Sequence, residues 1–138
     1  MRIARALLDE LIAHALEDPK IECCGLVAVE DLSNGAENVA TAVYRATNIH
    51  ASALKFEIDP AEQFKLTRAI EDEGWEIGGI YHSHVRSPPK PSQTDIGFAA
   101  KLGPVEWVII GLAAGQEPEV RSYLIDGAEV SEVPLEVT

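Results

Sequence analysis

Apolar residues recur at helical spacing in three parts of the chain, which predicts three helices. The first pattern covers residues 3–17 and is ended by the Asp-Pro pair at 18–19. The second covers residues 59–74, where Asp is the expected cap and Pro the first helical residue. The third covers residues 93–102, directly after a proline-rich loop. Each helix is therefore bounded by a residue type that starts or stops helices.

Short apolar or β-branched runs between these helices predict strands. A turn over residues 31–37, with Asn-Gly at its centre, joins the first two runs, and Asp-Gly at 126–127 joins the last two. The predicted strands are 25–29, 38–48, 75–82, 105–112, 119–125 and 128–133, with a short extended piece at 56–58. Helices thus alternate with strands, and we expect an α/β fold, a mixed β-sheet flanked by helices.

Length and charge limit the function classes. The 138 residues suit a single domain over residues 1–138. The net charge is −12 and no Lys/Arg cluster occurs, so we expect neither nucleic acid nor anionic membrane as a partner. Acidic residues within the N-terminal apolar pattern do not fit a signal peptide, and the expected location is the cytoplasm. Cys23 and Cys24 are adjacent, which disfavours a disulfide between them.

Two histidines mark the end of one predicted strand. Residues i and i+2 of a strand point to the same face, so His82 and His84 place their imidazoles side by side. Asp95 follows in the first turn of the next predicted helix, and a loop can return that turn to the strand end. Two imidazoles and a carboxylate are a common ligand set of catalytic zinc, although other divalent ions would also accept it.

The same residues have plainer interpretations. Ser92 and Asp95 have the spacing of a capping box, which taken alone is the commoner explanation. Glu22 stands just before the apolar strand 25–29 and can serve as a general base only if that strand lies beside the histidine-bearing strand. The metal interpretation depends on three ligand positions meeting at one strand end.

These residues together resemble a known motif. Glu22 followed by Cys24-Gly25, then His82-Ser83-His84, seven residues, Ser92, two residues and Asp95 is similar to the motif of the JAMM (MPN+) metalloproteases. The motif is long, its spacing is met in full, and the similarity extends over most of the chain. In particular, the sequence resembles the short, stand-alone prokaryotic branch, which includes a peptidase that releases cysteine from a ubiquitin-like sulfur-carrier protein in cysteine biosynthesis.

The resemblance implies an MPN fold, of cytidine-deaminase-like architecture, and a role for each residue. His82, His84 and Asp95 would bind Zn²⁺. Glu22 would activate a water molecule and pass its proton to the leaving amine, and Ser92 would hydrogen-bond the oxygen of the tetrahedral intermediate. The implied reaction is hydrolysis of the amide bond after the C-terminal glycine of a ubiquitin-like carrier that ends in Gly-Gly.

Several alternatives stay open. A non-catalytic MPN-type scaffold is the main one, although such relatives have lost ligands that are intact in this chain. A zinc deaminase is disfavoured because no Cys-x-x-Cys pair occurs. Arg86 and Lys90, in the loop 85–91, are either solvated charges or contacts for a substrate carboxylate. The first helix can pack on its own sheet or on a second copy, so a homodimer is possible.

Overall fold

The computed structural model describes residues 1–32, 38–113 and 117–138. Within these residues, no helix is long and apolar enough to cross a membrane. The predicted Asn34-Gly35 turn lies outside the described residues. The elements are β1 (Arg2–Ile3), α1 (Arg5–Glu17), β2 (Cys24–Val29), β3 (Ala40–Ala46), α2 (Pro60–Asp72), β4 (Glu76–His84), α3 (Gln93–Leu102), β5 (Glu106–Gly111), β6 (Glu119–Asp126), β7 (Glu129–Val133) and β8 (Glu136–Val137).

Six strands form the central sheet in the order β3-β2-β4-β5-β6-β7. All neighbours are antiparallel except β4 and β5, which run parallel. A parallel pair needs a crossover connection, and α3 lies within it. The expectation of a mixed α/β fold with a sheet flanked by helices is confirmed. The two short strands β1 and β8 pair with each other beside this sheet.

Helices cover both faces of the sheet. Leu8 and Leu11 of α1 pack against one face, in a cluster that contains Tyr81 of β4. Ile70 of α2 and Ala99 of α3 belong to a second cluster, on the opposite face. The strand β4 is buried on both faces, and because side chains alternate along a strand, Ile80, His82 and His84 point to the same face, towards α2 and α3. That face is the one on which His82 and His84 lie.

Several predicted boundaries differ from the structure by one or two residues, and two of these differences affect how the chain is paired. The first helix begins at Arg5, because Ile3 is in β1 and pairs with Val137 of β8. The strand predicted to end at residue 82 continues to His84, which pairs with Gly111 of β5. The predicted hairpin near the C-terminus is confirmed, and Gly127 has the positive φ of 60° that its tight turn requires.

Candidate metal centre and active site

The end of β4 and the start of α3 bring three ligand atoms together. The Nε2 atoms of His82 and His84 are 3.1 Å apart. Asp95 Oδ2 lies 3.2 Å from the first of these nitrogens and 3.3 Å from the second. All three residues are buried, and their arrangement can hold a metal ion. The sheet fixes the two imidazoles, while the loop 85–91 returns the chain so that α3 begins next to them.

The loop itself fixes the orientation of His84. His84 Nδ1 lies 2.8 Å from the carbonyl oxygen of Pro88. A carbonyl only accepts hydrogen bonds, so Nδ1 must carry a proton, and Nε2 is the nitrogen that faces the centre and offers a lone pair whenever the ring is neutral. The next carbonyl, of Pro89, accepts a 2.7 Å hydrogen bond from the Tyr123 hydroxyl. Consecutive carbonyls of the loop are therefore held by β4 and β6.

His82 is held by aromatic contacts. It is fully buried, stacks on Phe56 with ring centroids 4.5 Å apart, and meets the edge of Trp107 at 5.9 Å. Burial lowers the pKa of His82 against the opposing effect of Asp95, which favours a neutral ring that can act as a ligand. Its Nδ1 has no hydrogen-bond partner among the described residues.

Asp95 combines two interactions that the sequence presents as alternatives. Its Oδ2 accepts a 2.9 Å hydrogen bond from the Ser92 backbone N–H, which completes a capping box at the start of α3. The same oxygen faces both imidazoles. Burial alone would raise the pKa of Asp95, but the close contacts with the His82 and His84 imidazoles outweigh it and lower the pKa, so the carboxylate is ionised. The helix cap therefore orients the carboxylate towards the imidazoles.

The spacing of the three atoms fits a tetrahedral ion. Ligands about 2.05 Å from a tetrahedral zinc lie about 3.3 Å from one another. The observed separations are 3.1, 3.2 and 3.3 Å. Two imidazole lone pairs and an ionised carboxylate at these distances repel each other unless a cation or protons lie between them. Donor type and spacing thus both suit a divalent metal with one open position.

Glu22 lies beside this centre because of strand pairing. The strand β2 runs antiparallel to β4, with Cys24 opposite His82, so Glu22, two residues before β2, lies near the histidine-bearing end. Glu22 is buried, only 5% exposed. Desolvation raises the pKa of Glu22 to about 7, with a smaller lowering by His84 and a smaller raising by Asp95. A role of Glu22 as general base requires that its strand lie beside the histidine-bearing strand, and β2 and β4 are indeed neighbours.

Ser92 is exposed at the helix start, next to Asp95. Its Oγ accepts a 3.1 Å hydrogen bond from the Asp95 backbone N–H. A hydroxyl has one proton to donate as well as two lone pairs, so the cap leaves that proton available. The capping interaction and hydrogen-bond donation to a substrate oxygen are therefore compatible.

Other candidate residues lie away from the three ligand atoms. Ser83 is on the opposite face of β4, where its Oγ accepts a 2.8 Å hydrogen bond from the Cys23 backbone N–H. Cys23 and Cys24 are free, buried thiols whose pKa is raised by burial, which makes them unreactive. Arg86 and Lys90 are exposed in the loop, as either interpretation of them requires.

Two contributors to the site carry no role in the sequence analysis. Phe56 stacks on His82, and Asn48 donates a 3.0 Å hydrogen bond to the carbonyl oxygen of Glu22. Both come from the connection between β3 and α2, far from the motif in sequence. The spacing of the motif residues cannot reveal these two contributors. The only sequence signal is the short apolar run at 56–58, which predicts an extended piece but not its position next to the site.

Residues 4–126 match a family described as prokaryotic homologs of the JAB domain, and the chain belongs to this family. It is 33% identical over 132 residues to the CysO-cysteine peptidase of Mycobacterium tuberculosis, covering 95% of this chain and 86% of the relative. It is 36% identical over 135 residues to a probable TtuB-protein conjugate cleaving protease of Thermus thermophilus, covering 96% and 82%. It is 30% identical over 127 residues to a desampylase of Pyrococcus furiosus, covering 91% and 83%.

Solved structures agree with the fold. A solution structure of a protein from Desulfitobacterium hafniense has a TM-score of 0.84 and 29% identity, covering 99% of this chain and 92% of that one. A JAMM protein, described by its metalloprotease-like zinc site in the proteasome and signalosome, has a TM-score of 0.60 and 20% identity, covering 100% and 97%. The predicted resemblance to the JAMM/MPN family is confirmed.

Proposed function

We propose that this protein is a zinc peptidase or isopeptidase. Its substrate would be an amide bond after the C-terminal glycine of a small ubiquitin-like, sulfur-carrier-type protein. The observation that carries the proposal is the meeting of three metal-ligand atoms, within 3.3 Å of one another, beside a buried acid. We further propose that residues 1–138 act as one metallopeptidase domain.

His82, His84 and Asp95 are the proposed ligands. Zn²⁺ held there would polarise the scissile carbonyl and make a water molecule more acidic. The orientation of His84 by the Pro88 carbonyl, and of Asp95 by the helix cap, supports these assignments, since ligands held in place need no reordering when the ion binds. Zinc is the choice because two imidazoles and a carboxylate with an open position are typical of its catalytic sites.

Glu22 is the proposed proton carrier. Burial raises the pKa of the Glu22 carboxyl to about 7 in the metal-free protein, and a bound cation would lower it again, so the ionised carboxylate could take a proton from water and return it to the leaving amine near neutral pH. Burial is the main cause of that pKa, and the same burial keeps bulk water from competing for the proton.

Ser92 is the proposed hydrogen-bond donor to the oxygen that becomes negative during attack. Its exposed hydroxyl keeps a free proton while its oxygen caps α3. Removing one such donor commonly costs about 3 kcal/mol of barrier.

The substrate proposal follows the relatives. Their names describe a CysO-cysteine peptidase and a TtuB-conjugate protease, which supports a ubiquitin-like carrier released from a C-terminal partner, with cysteine as one such partner. A Gly-Gly tail suits a buried site because only glycine lets a backbone pass closely.

The test is cleavage of ubiquitin-like carriers ending in Gly-Gly, each extended by cysteine or by a short peptide, followed by mass spectrometry. We expect one cut directly after Gly-Gly, slower by about 100-fold or more in Glu22→Gln and absent in chelator-treated protein. The matched control is Glu17→Gln, since Glu17 lines the same surface groove as Glu22. Equal cleavage by Glu22→Gln, or no cleavage by zinc-loaded protein across the panel, would refute the proposal.

A further inference from the structure

Asn48 is a buried polar residue whose side chain uses its full hydrogen-bonding capacity. Its Nδ2 donates to the carbonyl oxygens of Glu22 at 3.0 Å and Lys55 at 2.9 Å. Its Oδ1 accepts from the backbone N–H groups of His50 at 3.1 Å and Glu57 at 3.2 Å. An amide offers two donor protons and two acceptor lone pairs, and all four are used. Such a set of bonds leaves the side chain one orientation.

The backbone of Glu22 is held from both sides by the same segment. Its N–H donates a 2.8 Å hydrogen bond to the Ser52 carbonyl, while its own carbonyl accepts from Asn48. Glu22 precedes β2, and β4 binds the peptide between Glu22 and Cys23 only through the Ser83 hydroxyl, which accepts from the Cys23 N–H. The segment 48–57 supplies the hydrogen bonds that a strand neighbour would otherwise provide.

The same amide also fixes the approach to the ligand His82. Its bonds to Lys55 and Glu57 bracket Phe56, the ring that stacks on the His82 imidazole. One side chain therefore connects the backbone of the proposed base with the residue that covers a proposed ligand. Asn48 and Glu22 also line one groove of about 260 Å³ at the surface.

We propose that Asn48 is a positioning residue for catalysis: it acts through Glu22 by fixing the peptide from which the carboxyl group projects. This inference rests on the proposed function of Glu22 as base. Misplacing a reacting group by about 1 Å can lower a rate by about 100-fold, so a hydrogen bond to its backbone matters even though Asn48 touches no reacting atom.

The test is a double-mutant cycle with Asn48→Asp and Glu22→Gln. Asp has the shape of Asn and keeps the acceptor oxygen for His50 and Glu57, but it cannot donate to the carbonyls of Glu22 and Lys55, and it adds a negative charge. We expect Asn48→Asp alone to lower kcat by about 10- to 100-fold, with KM and bound metal per chain unchanged within about twofold. In the Glu22→Gln background, measured by single turnover with excess enzyme, the same change should alter the rate by less than about twofold.

The matched control is Ser52→Ala. The Ser52 hydroxyl accepts only a loop hydrogen bond from the Leu54 N–H, and Glu22 is bound by the Ser52 backbone, which the substitution keeps. This variant should retain kcat. Asn48→Ser is carried through the same cycle, because it is uncharged and too short to make the same bonds, so a loss caused only by the charge of Asp would not appear in it; it also replaces Asn48→Asp if that variant does not fold.

Three outcomes would overturn the inference. An unchanged kcat in the Asn48 variant would show that Glu22 needs no such support. Equal losses in both backgrounds would show a structural effect that does not act through Glu22. Failure of both Asn48 variants to fold would make the residue a determinant of folding instead. Failure of the proposed function is separate, since it appears as an inactive parent protein or as a fully active Glu22→Gln.

Discussion

Glu22 is a buried acid, and its replacement by Gln should stabilise the metal-free protein at neutral pH. Burial raises the pKa of its carboxyl from 4.5 to about 7, so the folded protein disfavours the ionised form. Gln has nearly the same shape and no charge to desolvate. The substitution that removes the proposed base should therefore increase the free energy of unfolding.

The size and sign follow from the two pKa values. A difference of about 2.5 between folded and unfolded protein corresponds to about 3 kcal/mol, at about 1.4 kcal/mol per pKa unit. Between pH 4.5 and 7 the folded state binds the proton more tightly than the unfolded state, so stability contributed by Glu22 falls as the pH rises. The variant should match the parent near pH 4 and exceed it by up to about 3 kcal/mol above pH 7.

The assay is urea denaturation of chelator-treated protein at several pH values, with Glu129→Gln as control. Glu129 is an exposed acid on β7, so its variant should follow the parent within about 0.5 kcal/mol at every pH. Metal must be absent, because a nearby cation would favour the ionised Glu22 and hide the effect. A Glu22→Gln variant that is less stable than the parent at pH 8, or equally more stable at pH 4 and 8, would refute the reasoning.

Two further substitutions test the framework of the site. Ser92→Ala should lower turnover by about 100-fold and the free energy of unfolding by about 1 kcal/mol, with metal retained. The control Asp59→Ala, which removes the cap of α2, should lose similar stability and stay active. Kinetics and melting of both variants will show whether Ser92 does more than cap its helix. Gly25→Ala should destabilise the fold by about 3 kcal/mol or more in urea denaturation, because its Cβ would lie 2.4 Å from the Tyr44 carbonyl oxygen. The control Gly97→Ala should not destabilise the fold, because its Cβ would have no atom within 4 Å. Equal stability of the two variants would contradict the close packing of β2.

Local signals in the sequence predict the elements well where one residue type determines a boundary. The third helix spans residues 93–102 as predicted, since Ser92 and Asp95 form a complete capping box. The second begins at Pro60, with Asp59 accepting a hydrogen bond from the Glu62 N–H. These boundaries depend on groups within one turn, which the sequence contains.

Local sequence patterns do not predict which residues from distant parts of the chain lie next to each other. Ile3 continues the apolar pattern of the first helix, yet it pairs with Val137 at the other end of the chain. Asn48 is an ordinary polar residue in a predicted strand end until the fold places it against Glu22. The sequence also presents metal binding and helix capping by Asp95 as alternatives, while the structure shows that one oxygen has both sets of neighbours.

The central claim is a metal site formed by His82, His84 and Asp95. The most direct test is elemental analysis of protein purified without added metal or a histidine tag, beside the His84→Ala variant. We predict about one zinc per chain in the parent and none in the variant, because two of the three ligands cannot hold the ion alone. No metal in either protein, even after zinc is offered at neutral pH, would contradict the account.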